Sequence, residues 1–243
     1  VAVMVAIILF GSVLVFVIVQ ALRQSIGMLS VTNSAYARFV PRAFLAYLSK
    51  DSIVDVDLND NVEREMTVLF SDIRSFTELS ERMTPEQNFR FVNEYLRAMG
   101  PVVRRHGGFI DKYIGDAIMA LFDRPDDAVI AALDMLDELK VYNADRVAGG
   151  EDAIRIGIGL HTGRLRLGTI GEADRMDGTV IGDSVNLAAR LEGLTKFYRV
   201  QCLMSRDTLS GVEDAGTFQH RRMDKVTVKG KVQPVDIYEV MGA

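Results

Sequence analysis

Phe109-Ile-Asp-Lys-Tyr-Ile-Gly-Asp-Ala-Ile-Met-Ala-Leu-Phe122 holds two short apolar runs around a central Gly115-Asp116. A Gly-Asp pair between β-forming segments is a hairpin signal, so the stretch predicts strands Phe109–Ile114 and Ala117–Phe122. Upstream, Gly107-Gly108 ends a helix that starts at the capping box Thr84-Pro85-Glu86-Gln87 and runs to about Arg105. Before it, Met66–Phe70 reads as a short buried strand. Downstream, Asp126–Tyr142 has the spacing of an amphipathic helix, and Ile154–His161 and Leu165–Ile170 read as strands around a Thr162-Gly163 turn. The order β-α-β-β-α-β predicts an α+β domain of the ferredoxin-like, split βαβ kind. A third helix begins near Asp183 or Ser184 and ends around Leu194. Gln201–Met204, Gly216–Arg222 and Asp236–Val240 complete the list of strands.

The 243 residues carry a net charge of −5, which gives no reason to expect nucleic-acid binding. Cys202 is the single cysteine, so an intrachain disulfide and the cysteine zinc patterns are excluded. Val1 to Leu22 contains no charged residue. As a helix it spans about 33 Å, close to the roughly 30 Å hydrocarbon core of a bilayer. The first charges beyond it, Arg23, Arg38, Arg42 and Lys50, are all positive, which places the C-terminal side in the cytoplasm. Residue 1 is Val rather than Met, and one remaining membrane segment implies a sensor or further helices upstream.

Leu22, Ile26, Leu29, Asn33, Tyr36 and Val40 follow heptad spacing. That face either pairs with a second copy, with Asn33 fixing register, or packs on its own domain. Pro41 breaks the helix and opens a short one, Pro41–Leu48. Asp51 to Glu63 is acidic and irregular. The expected organisation is a transmembrane helix over 1–22, a helical linker over 23–62 and a catalytic domain over 63–243.

Four segments now stand in order: Leu69-Phe-Ser-Asp-Ile-Arg-Ser-Phe-Thr77, Asp111-Lys-Tyr-Ile-Gly-Asp-Ala-Ile-Met-Ala120, Gly159-Leu-His-Thr-Gly-Arg164 and Gly182-Asp-Ser-Val-Asn-Leu-Ala-Ala-Arg190. Together they resemble the class III adenylyl and guanylyl cyclase catalytic domain, over about residues 63–241.

Asp72 and Asp116, on neighbouring strands of such a fold, suit a hard cation such as Mg²⁺ or Mn²⁺ rather than zinc. The resemblance implies two such ions, held by both carboxylates with the Ile73 carbonyl helping, and in-line displacement at phosphorus. Backbone amides of Arg74, Ser75, Phe76 and Thr77 form a candidate phosphate cradle. Asn186 and Arg190 are four apart on one helix face. By resemblance they orient the ribose and stabilise charge on the α-phosphate. Arg164 and Lys229 match triphosphate ligands. Lys112 stands where adenylyl cyclases carry the lysine that reads the adenine ring nitrogen, and guanylyl cyclases typically carry Glu. Its partner is Thr179, where many adenylyl cyclases have Asp; a threonine hydroxyl can still accept the adenine amino proton. His106, His161 and His220 read as structural.

In this family one site draws on two protomers. This chain carries both sets of residues, so the resemblance implies a homodimer that turns ATP into 3′,5′-cyclic AMP and pyrophosphate. Alternatives are a guanylyl or relaxed-specificity cyclase, and a silent nucleotide-binding module. A diguanylate cyclase would need a Gly-Gly-Asp/Glu-Glu-Phe signature that is missing.

Overall fold

The computed structural model describes residues 2–36, 41–172, 174–214, 216, 218–227 and 234–242. They divide into two compact units, 1–42 and 43–243.

The second unit is organised by strand β1 (Asn61–Ile73), whose residues Met66, Thr67, Val68 and Leu69 are buried in succession. Such a run marks a strand covered on both faces. Helices α4 (Pro85–Arg105) and α5 (Pro125–Ala148) pack on one face, placing Phe91, Tyr95, Met99, Met135 and Leu139 in the main core. Helix α6 (Asp183–Tyr198) contributes Leu187 and Leu191 to a second core with Leu203 and Ile237. The capping box expected at Thr84 forms: Gln87 N donates to Thr84 Oγ1 at 3.2 Å, and Thr84 N to Gln87 Oε1 at 2.8 Å.

Strands β2 (Phe109–Ile114) and β3 (Ala117–Phe122) make the anticipated hairpin. With β1 and β4 (Ile156–Glu172) they form an antiparallel sheet in the order β2-β3-β1-β4, the expected ferredoxin-like arrangement. The sheet continues through β6 (Cys202–Ser205), β8 (Val235–Met241) and β7 (Gln219–Val226). Strand β5 (Arg175–Ile181) pairs with β4 off this path.

The turn expected at Thr162-Gly163 does not exist. Strand β4 runs straight through, with Thr162 opposite Thr67 and Gly163 opposite Met66. Gly163 is needed for closeness instead: a Cβ there would stand 2.5 Å from Ser184 Oγ at the start of α6. Four elements among the described residues were not anticipated: β5, α3 (Phe76–Ser80), α7 (Arg206–Gly211) and a 3₁₀ turn at Ile53–Asp55. Strand β7 starts and ends a few residues later than the expected Gly216–Arg222, which it overlaps over residues 219–222.

The expected linker does not stand as one piece. Residues 23–36 continue helix α1 (Ala2–Tyr36), and Val40 lies outside the described residues. Helix α2 (Arg42–Tyr47) buries Phe44. Tyr47 Oη donates to Asp123 Oδ2 at 2.8 Å. The acidic stretch is pinned to the sheet, for Thr169 Oγ1 donates to the Asp57 carbonyl at 2.6 Å and Thr169 N to that of Asp60 at 3.0 Å.

In the first unit, α1 contains a 20-residue window, Phe10–Leu29, long and apolar enough to cross a membrane, with a mean hydropathy of 1.7 and no burial. The span of 1–22 expected from charge is thus the first part of a longer helix.

Candidate active site

Strand register decides where the acidic residues go. Ser71 on β1 faces Ile118 on β3, and Asp116 sits in the turn just before β3. The carboxyl groups of Asp72 and Asp116 therefore lie close enough for the Asp72 charge to act on Asp116. Asp116 is 7% exposed, and its Oδ2 accepts from Ile73 N at 3.1 Å. Burial first, then the neighbouring Asp72 carboxylate, push its carboxyl up to about 7. Two crowded carboxylates that resist joint ionisation fit a hard divalent cation, which would relieve their repulsion. Among the described residues no third His, Cys, Asp or Glu joins them. Remaining ligands would come from backbone oxygen, water and substrate phosphate, the usual manner of Mg²⁺.

The segment after Asp72 departs from its sequence reading at one residue. Arg74 N donates to the Arg155 carbonyl at 2.8 Å, so this amide is committed to the sheet. Only the amides of Ser75, Phe76 and Thr77, at the first turn of α3, are left for the expected cradle. Ser75 turns the chain with a φ of 56°. The Arg74 side chain crosses to α6, where Nη1 donates to Glu192 Oε1 at 2.9 Å. Both partners are mostly buried. Burial lifts the Glu192 carboxyl to about 7 despite Arg74, with Asp72 adding repulsion. Gly157 makes the crossing possible, since a Cβ there would collide with the Arg74 guanidinium.

A second cluster joins β2 to β5, although β3, β1 and β4 lie between them in the sheet order. Lys112 Nζ donates to Thr179 Oγ1 at 2.6 Å. The two residues expected to read the base are thus in direct contact. Thr179 is itself buried.

Asn186 is exposed on the outer face of α6 and Arg190 is half-buried, while Ser184, Leu187, Ala188 and Leu191 face inward. Arg164 is brought to neither cluster within the chain. It pairs with Glu65 across the ladder, seven residues along β4 from the Gly157 that faces Asp72, and its exposed guanidinium stands 3.9 Å from Glu63. Lys229 lies outside the described residues.

Sequence reading missed Glu192 and Asp111. The signal for Glu192 was its place two residues beyond Arg190, within reach of the sheet. That for Asp111 was a carboxylate beside Lys112. The histidines are structural where described: His161 Nδ1 pairs with Ser205 Oγ at 2.8 Å, and His106 Nε2 with Asp134 Oδ2 at 2.7 Å.

A ferredoxin-like sheet with an acidic pair at one strand end and a Lys–Thr pair across its curve has the features of a nucleotidyl cyclase domain. The family model described as the adenylate and guanylate cyclase catalytic domain matches residues 59–242, and the chain belongs to that family. An adenylate cyclase of Anabaena cylindrica is 43% identical over 227 residues, covering 90% of this chain and 45% of that protein. The crystal structure of the adenylyl cyclase CyaB from P. aeruginosa aligns with a TM-score of 0.68 and 34% identity, covering 75% of this chain and 96% of that one. A guanylyl cyclase crystal structure aligns with a TM-score of 0.65 and 32% identity, over 75% and 94% of the two chains. The chain spans less than half the length of the curated relatives it matches most strongly.

Proposed function

We propose that this chain is the catalytic part of a membrane-anchored adenylyl cyclase, converting ATP to 3′,5′-cyclic AMP and pyrophosphate as a homodimer. The observation that carries the substrate reading is the 2.6 Å hydrogen bond from Lys112 to Thr179. It leaves the ammonium two further protons, one of which can go to adenine N1. The threonine oxygen can accept from the adenine amino group. The alternative, guanine, has a structural relative in its favour at 32% identity.

In the reaction the ribose 3′-oxygen bonds to the α-phosphorus and gives its proton to water, and the bond from that phosphorus to the α,β-bridging oxygen breaks, releasing pyrophosphate. Asp72 and Asp116, with the Ile73 carbonyl, would hold Mg²⁺ or Mn²⁺, which would supply Lewis acidity at the 3′-hydroxyl and neutralise triphosphate charge. Amides of Ser75, Phe76 and Thr77 face the phosphates. Asn186 positions the ribose, and Arg190 meets charge developing on the α-phosphate. Donors of this kind are worth about 3–4 kcal/mol each. Arg164 and Lys229 hold the triphosphate.

The homodimer reading is supported by the separation of the two clusters. Asp72 with Asp116, and Lys112 with Thr179, form two groups rather than one. Apolar side chains stand exposed near the second: Tyr113 and Ile114 on β2, and Ile170, Met176 and Ile181 on β4 and β5. A second copy related by a two-fold axis would cover them and supply the missing half of each site.

Cyclic nucleotide formation from ATP and GTP, in Mg²⁺ and in Mn²⁺, tests the substrate. Faster turnover of GTP would overturn the adenylyl reading. Mixing Asp72→Ala chains with Asn186→Ala chains tests the assembly, since one intact composite site should restore part of the activity. Folded mixed dimers without activity would refute shared sites.

A further inference from the structure

The pairing of β2 with β3 is irregular at one residue. Ile110 faces Ala120 and Lys112 faces Met119, which leaves Asp111 without a partner on β3. In a regular strand Asp111 and Lys112 would point to opposite faces. The bulge turns them toward each other, and Lys112 Nζ stands 3.4 Å from Asp111 Oδ2. The Asp111 side chain is 3% exposed, and Oδ2 has no hydrogen-bond partner.

The partner of Asp111 is the Lys112 ammonium, at ion-pair distance but without hydrogen-bond geometry. A buried acceptor that lacks a well-formed hydrogen bond destabilises the fold, more so when charged. An uncharged side chain would suit the fold better at that place. The carboxylate does, however, lie within one side chain of the Lys112–Thr179 pair.

That pair suits adenine but does not by itself exclude a purine with a 6-carbonyl. An ammonium donates equally well to adenine N1 or to a carbonyl at purine position 6. A hydroxyl both donates and accepts. We propose that Asp111 is a specificity-determining residue, whose buried negative charge favours a purine with a 6-amino group over one with a 6-carbonyl. The inference rests on the reading that Lys112 and Thr179 face the purine. An amino group turns a positive edge to the pocket and is attracted. A carbonyl oxygen is repelled, and part of its attraction to Lys112 is cancelled. Burial keeps the charge from being screened, so it acts without touching the base.

The probe is inosine triphosphate, which carries a carbonyl where ATP carries the amino group. The full chain is assayed for kcat/KM with ATP and with inosine triphosphate, as wild type, Asp111→Asn and Asp111→Ser. Removing the charge should lower the ATP-to-inosine ratio by about tenfold, with the inosine substrate gaining relative to ATP. An unchanged ratio, including an equal loss with both substrates, overturns the proposal. So does failure of both variants to fold, which would assign Asp111 to the fold. A wild type that does not prefer ATP over inosine triphosphate would instead sink the purine reading itself, and this inference with it.

Discussion

Asp116 shows how one side chain can set a pH dependence. Its carboxyl is raised from 3.8 to about 7, mainly by burial. Between those values the folded chain holds a proton that the unfolded chain has released. The contribution to stability is therefore full below about pH 4 and is lost as pH rises through 7. Glu192, raised for the same reason, adds a slope of the same sign. Without divalent ions, the melting temperature should fall from pH 5 to pH 8 through these two groups. Asp116→Asn should flatten that fall, and added Mn²⁺ should raise the wild-type value at pH 8. A calorimetric series in which Asp116→Asn keeps the full wild-type slope would contradict this account.

Glycines on β4 show what an element must give up to fit its neighbour. A Cβ on Gly159 would run into the Glu192 amide and the Ala188 carbonyl, both backbone atoms of α6. Gly159→Ala should cost about 2–3 kcal/mol in urea unfolding, because neither backbone can step aside. Gly193, in the interior of α6, has nothing within 4 Å of its would-be Cβ. Gly193→Ala should instead stabilise by about 0.5–1 kcal/mol, the usual gain from removing a helical glycine. Equal effects from the two substitutions would show that packing of α6 on β4 is looser than the contacts imply. The Arg74–Glu192 ion pair crosses the same seam. It ties the strand end that carries Asp72 to the helix that carries Asn186 and Arg190.

At the scale of the molecule, the two compact units differ in what solvent they suit. The described side chains of α1 between Phe10 and Leu29 are mostly apolar and unburied, which water does not tolerate over a single helix. The full chain should pellet with phospholipid vesicles. A chain starting at Ala43 should stay in solution with an unchanged melting temperature, since Phe44, Tyr47 and the acidic stretch before β1 belong to the second unit. Vesicle binding by the shorter chain would move the anchor elsewhere.

The sequence by itself determined the core of the architecture and singled out the two residues of its acidic pair. Hairpin and capping box are local signals, and both were read where the structure has them, while the hydrophobic period located β1 and α5 but made both too short. Tertiary structure decided the rest, because those features depend on partners far along the chain. Thr162-Gly163 has the composition of a turn but lies in mid-strand, since β1 pairs with it and α6 presses against the glycine. Polar Arg175–Ile181 has little strand character and becomes β5 only by pairing with the end of β4. Arg74 was read as a phosphate neighbour, yet its amide is held by Arg155 and its side chain by Glu192. The contact of Lys112 with Thr179 needs a sheet that brings together strands with three others between them. Residue types were legible from order and spacing, whereas their meeting points come from register and curvature, which exist only once the chain has folded.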